Sequence, residues 1–274
     1  MDASGEGASA TIDYVKTGPV ATFTIRNGKV NPLTQAMHRE MHEALLDFQA
    51  DPDLVVGILT GAGERGFCAG DDIKSDEPGS GSAASDLLAA MSPGPARSGD
   101  ASAPGYDWAD RVLGLERTKP IIGAVRGWCL GRGLAYLLKL TDIRIATPDA
   151  RFGLPEIAYG MGGLAGAMQL ARHVPPTTAW EMALTGEPID AAEALRVHLV
   201  NRIVEPAALI AEAERIAGLI TRHPPLGVRI EFESSRRAEG LSPGDAYAMG
   251  THLYRLQRLA LGESDVQDVF LYRK

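Results

Sequence analysis

A chain of 274 residues that is 45% hydrophobic can bury one large core, or a core with a small appendage. Its formal net charge of −8 excludes a broad nucleic-acid-binding or membrane-facing surface, because such partners need clustered positive charge. Its two cysteines, Cys68 and Cys129, form neither a disulfide framework nor a metal-ligand spacing, and no apolar run reaches the roughly 18 residues of a membrane span, so a reduced, cytoplasmic setting is the expectation.

Residues 1–10 are small, acidic and Gly/Ser-rich, without the basic-then-apolar order of a signal peptide, and read as a disordered tail. Pro19 to Ile25 alternates as a strand does. Thr34 can cap a helix through about Ala50, with Met37, Met41, Leu45 and Phe48 as its core-facing stripe. His38 and His42 lie one turn apart on that helix; the spacing suits a metal, but no third ligand is near, so surface histidines and no metal are expected.

Leu54 to Thr60 is a nearly continuous apolar run, as a strand buried on both faces requires. Gly61-Ala-Gly-Glu-Arg-Gly66 follows it and fits the dinucleotide fingerprint of an NAD-binding oxidoreductase. The context opposes that reading: the next residues are Phe67-Cys-Ala-Gly70 rather than a helix, and no acidic residue ends a second strand downstream. No Gly-x-Ser-x-Gly elbow of a serine hydrolase occurs either. Residues 75–110 are rich in Ser, Gly, Pro, Ala and Asp, a variable loop with a short helix at Ala84 to Met91.

Pro120 to Arg126 is a second buried strand, running straight into Gly127-Trp-Cys-Leu-Gly-Arg-Gly133. Helices are expected at Leu164 to His173, Thr177 to Leu184, Asp190 to Arg196, Pro206 to Thr221, Pro224 to Ala238 and Pro243 to Leu261. Residues 11–205 thus form one core, and residues 206–274 a helical C-terminal region. Two glycine-rich turns, each after a buried strand, can bring main-chain N–H groups to one oxygen without a side chain in the way. Such a pair is the makings of an oxyanion hole.

The order Phe67-x-Ala-Gly-x-Asp-Ile-Lys74, Lys119-Pro120, Gly127-x-x-Leu-Gly-x-Gly133, Asp142-Ile-Arg-Ile-Ala146 and Phe152-Gly-Leu-Pro-Glu-Ile157 resembles the crotonase (enoyl-CoA hydratase/isomerase) superfamily. The resemblance implies an α/β fold, a spiral of ββα units, and an acyl-CoA thioester substrate. In such enzymes two amides hold the thioester oxygen while a proton leaves or joins the α-carbon. Carried over, the amides are those of Asp71 and Arg132, Glu156 is the catalytic carboxylate, and Lys74 meets the nucleotide of CoA. Coenzyme A enters only as part of the substrate, with no further cofactor, and a homotrimer or dimer of trimers is implied.

Glu156 stands between Pro155 and Ile157, where partial desolvation would raise its pKa toward the working range of a general acid/base. Two-carboxylate hydratases of the family carry a second Glu where this chain has Ala135, and residues 127–141 contain no acid at all. One carboxylate suffices to move a proton between carbons. Double-bond isomerisation therefore ranks slightly above hydration, with Tyr136 or Tyr159 as possible water holders, and above a non-catalytic CoA-ester-binding role. Leu87, Leu88, Met91, Trp108, Tyr136 and Tyr159 are candidate walls of the acyl pocket, and Arg132 reads as solvent-facing.

Overall fold

The computed structural model describes residues 10–72, 108–162 and 169–261. Its first unit is a hairpin, β1 (Thr11–Thr17) and β2 (Val20–Arg26), followed by α1 (Gln35–Ala50). The strand expected from alternation is β2, which buries every second residue; β1 buries only Ile12, and it pairs antiparallel with β2 from Thr11↔Arg26 to Thr17↔Val20. Thr34 caps α1 as expected, accepting from the Met37 amide at 3.3 Å, and the Met37, Met41, Leu45, Phe48 stripe is fully buried.

Three further units repeat one plan. Each begins with a strand in the large sheet: β3 (Val56–Gly61), β5 (Ile121–Val125) and β7 (Ile143–Ala146), which pair in parallel. Each then crosses to a short strand in a second sheet: β4 (Gly66–Cys68), β6 (Trp128–Leu130) and β8 (Arg151–Gly153), also parallel. The large sheet runs in the order β1-β2-β3-β5-β7-β10, and the small one β4-β6-β8-β9, with β9 (Ile189–Asp190) antiparallel to β8 and β10 (Arg202–Ile203) parallel to β7. Because β4, β6 and β8 are parallel neighbours, their C-terminal ends share one edge. Ligands bind along that edge in sheets of this kind, outside the carboxyl ends of parallel strands.

Further helices among the described residues are α2 (Trp108–Gly114), α3 (Arg132–Leu140), α4 (Pro176–Thr185), α5 (Ala191–Arg196), α6 (Leu209–Thr221), α7 (Pro225–Ala238) and α8 (Pro243–Leu261). Of the helix expected at Leu164 to His173, residues 164–168 lie outside the described residues; 169–170 are helical, and 171–173 form a turn. Pro175 and Pro176 follow closely, and the residue before a proline is driven out of helical geometry. Pro176 then opens α4 at a position where its missing N–H costs nothing. Gly61 to Gly66 leads into β4 and not into a helix, which removes the structural context a dinucleotide fingerprint needs.

Lys119 is a buried cation, 2% exposed, with its ammonium donating to the carbonyls of Phe48, at 2.6 Å, and Asp51. It thereby closes the C-terminal end of α1, where main-chain carbonyls lack helical donors. Lys119→Met leaves those carbonyls without their donor, and the expected loss is about 1–3 kcal/mol of unfolding free energy in urea at pH 7. Burial, and next the charge of Arg229, push the Lys119 pKa down to about 8. Between pH 8 and the unfolded value near 10.4 the unfolded chain binds more protons, so native stability rises with pH and the gap to the variant widens. A gap that stays constant across that window would contradict the burial argument.

Candidate active site

Three turns at the shared edge of the small sheet converge. The first follows β4: Gly70, at φ +103°, donates no side chain, and its segment is tied to residue 33 by Leu33 N–H to Gly70 O and Asp72 N–H to Leu33 O, both 2.8 Å. The second follows β6, where Gly131 and Arg132 open α3. A Cβ built on Gly70 would lie 3.4 Å from the Leu130 carbonyl and 3.6 Å from the Arg132 nitrogen, so a single added methyl would fill the gap between the two turns. As the first residue of α3, Arg132 carries an N–H that the helix ladder does not use.

Gly131 is held at φ 54°, ψ −123°, a backbone that side-chain-bearing residues avoid, with its N–H on the Gly153 carbonyl at 3.0 Å. Gly133 allows the close approach behind it: a Cβ there would stand 2.4 Å from the Cys68 carbonyl oxygen. Cys68 is fully buried, and burial pushes its thiol up to about 12, so it packs as a small apolar group and is not a nucleophile.

The third turn follows β8 as a 3-10 helix, Pro155–Tyr159, closed by Gly160. It aims Glu156 back at the second turn. The point where Gly131 would carry a Cβ is 2.9 Å from Glu156 Oε1, and Oε2 is buried without a hydrogen-bond partner among the described residues. A buried, unpartnered carboxylate oxygen beside two glycine turns calls for a ligand or a proton donor.

Asp71 and Arg132 do more than offer amides. Arg132 Nε donates to Asp71 Oδ2 at 3.2 Å, and the guanidinium side chain is only 19% exposed, which corrects the solvent-facing expectation. Asp71 Oδ1 lies 3.2 Å from His38 Nε2. Burial pushes the Asp71 carboxyl up, but the His38 contact and the Arg132 charge outweigh it and hold the group below the usual carboxylate range.

His38 is buried, not the surface residue the sequence implied, and its Nδ1 is 2.6 Å from the Tyr136 hydroxyl. Tyr136 is therefore a core residue behind the site, fully buried, and not a wall of the acyl pocket or a water holder. One signal was available: His38, Met41 and Leu45 fall on one helical face, so a histidine in the stripe had to be buried. Trp108 packs on α1, with its ring 5.6 Å from His42 and 5.8 Å from the Arg39 guanidinium. Tyr159 is 67% exposed on the same short helix as Glu156. Ala135 is buried on α3 and brings no polar group. Lys74, Leu87, Leu88 and Met91 lie outside the described residues.

Comparison with known proteins identifies the family. Residues 16–239 match the family model for enoyl-CoA hydratase/isomerase. The (E)-benzylidenesuccinyl-CoA hydratase of Thauera aromatica is 37% identical over 212 residues, covering 77% of this chain and 76% of that protein. The carnitinyl-CoA dehydratase of Proteus mirabilis is 32% identical over 242 residues, covering 88% and 86%. A crystal structure of enoyl-CoA hydratase from Bacillus anthracis superposes with a TM-score of 0.75 at 28% identity, over 89% of each chain.

Proposed function

The chain belongs to the enoyl-CoA hydratase/isomerase family, and from that premise we propose that it adds water to, or removes it from, an acyl-CoA thioester at the α,β-position. The observation that carries the reading is the convergence of Glu156 with the turns at Gly70 and Gly131. In the hydration direction Glu156 takes a proton from water as the hydroxide bonds to the β-carbon. The electron pair of the double bond moves to the α-carbon and the thioester oxygen. The main-chain N–H groups of Asp71 and Arg132 stabilise the negative oxygen of that enolate, and Glu156 then returns its proton to the α-carbon. Atoms balance as thioester plus water, and no cofactor takes part. Lys74 is proposed to meet the CoA phosphates.

Relatives named as a dehydratase and a hydratase favour water chemistry over the isomerisation ranked first from Ala135 alone. Isomerisation stays the second reading on one specific observation: Ala135, at the position where the resemblance puts the second Glu of two-carboxylate hydratases, is buried on α3 and brings no acid. The test is product mass after incubation with paired 2-enoyl- and 3-enoyl-CoA esters. A gain of about 18 Da, the mass of one water, supports hydration by a single general acid/base; interconversion at constant mass replaces it with isomerisation; binding without turnover sinks both. The same family reading carries a homotrimer or dimer of trimers, for which the exposed Tyr247, Tyr254, Leu256 and Leu259 of α8 offer apolar surface. A solution mass of one 29.1 kDa chain would refute it.

A further inference from the structure

We propose that Asp71 and Arg132 are positioning residues, their side-chain ion pair clasping the two turns whose amides form the oxyanion hole and keeping the hole electrically neutral. The proposal rests on the enolate reading above and goes beyond it, since a hole made of main-chain N–H groups needs no particular side chain at either position. The geometry is a closed ring. Arg132 on α3 binds Asp71 after β4; Asp71 faces His38 on α1; His38 meets Tyr136, one turn along α3 from Arg132. Three elements far apart in sequence are thus joined by four polar side chains directly behind the turns.

Asp71 makes the pairing necessary. Its carboxyl is held in the charged form, on the same residue whose amide is assigned to the thioester oxygen. A lone anion there repels the negative charge that develops on that oxygen. At about 5 Å, and the effective dielectric of about 20 that suits partly buried sites, such a repulsion slows the reaction on the order of 10²-fold. The Arg132 guanidinium, 3.2 Å from the carboxylate, cancels it. A solvent-facing arginine would not, and Lys at that position would supply charge without the directed Nε–H donor.

The decisive measurement is a double-variant cycle with Arg132→Gln, Asp71→Asn and the pair together, every amide of the hole being retained. The readouts are kcat and KM on the thioester that the native enzyme turns over, and, at fixed pH, the enolate absorbance of bound acetoacetyl-CoA, an enolisable thioester. Arg132→Gln is expected to lose about 10²-fold in kcat with little change in KM, and to lose the enolate band. The double variant recovers at least tenfold of that loss, because the unbalanced anion has gone. Arg132→Lys, which keeps the charge, stays closer to the native enzyme than Arg132→Gln and controls for folding. Additive losses, with the double variant worst, overturn the proposal, as does an Arg132→Gln enzyme with native kcat and enolate band. The two failures separate cleanly. If hydration is absent but the enolate band follows the cycle, only the reaction assigned above is wrong; if acetoacetyl-CoA shows no enolate band on the native protein, the hole and its clasp fall together.

Discussion

Glu156→Gln is expected to reduce turnover of the thioester substrate by about 10²- to 10⁴-fold while leaving CoA-ester binding within a few-fold of the native protein. The substitution preserves side-chain volume and hydrogen bonding but can neither accept nor return a proton. Its size follows from the site's poverty in titratable groups. Ala135 supplies no second carboxylate, Asp71 is held charged by His38 and Arg132, and the Cys68 thiol is pushed up to about 12, so no described neighbour at these turns is poised to replace Glu156. Because Glu156 Oε2 is buried without a partner among the described residues, an uncharged amide there is not expected to destabilise the fold; a native-like unfolding midpoint would exclude collapse of the site as the cause. Turnover within tenfold of native would remove Glu156 from the chemistry and leave a binding protein as the better description.

Gly131→Ala is the second large effect. Its φ of 54° with ψ −123° is open to glycine and strained for alanine, at a cost of about 1–3 kcal/mol. The added methyl would also sit 2.9 Å from Glu156 Oε1, closer than carbon and oxygen tolerate without movement. Either response harms catalysis: the turn shifts and takes the Arg132 amide with it, or the carboxylate rotates away. Loss of one oxyanion donor costs on the order of 10²- to 10³-fold in kcat, and that range is expected here. Stopped-flow or steady-state kinetics, with urea unfolding on the same preparation, read both consequences. A variant that is destabilised yet fully active would show that the Arg132 amide is not part of the machinery.

Much of this site was legible before any coordinates, for physical reasons that can be named. Val56–Gly61 and Ile121–Val125 are buried on both faces, so their sequences are apolar throughout and stand out as strands. The turns after β4 and β6 need glycine at fixed places, and Gly70, Gly131 and Gly133 mark them. The side-chain partnerships leave no such mark in the sequence. The pairing of Asp71 with Arg132, and of His38 with Tyr136, joins residues far apart in the chain whose meeting is decided by the packing of α1 against the sheet and α3. An isolated Arg or His carries no sign of its partner, and exposure is the better guess for either until the fold is known. The end of the helix before Pro175 was misplaced because a proline two residues on constrains backbone that still looks apolar and helical.

Two of the three groups assigned to the thioester in the proposed reaction are main-chain N–H groups, which no side-chain replacement deletes. A library of alanine variants would register Glu156 and the ion pair and pass over the hole itself, except where glycines such as Gly131 are the residues replaced. Chemistry carried by the backbone is inherited with the shape of a turn and not with the letters that spell it. Lineages are then free to exchange the residues at positions 71 and 132, and to acquire a balanced pair of opposite charges there, while the reaction's principal support passes unchanged beneath the substitutions.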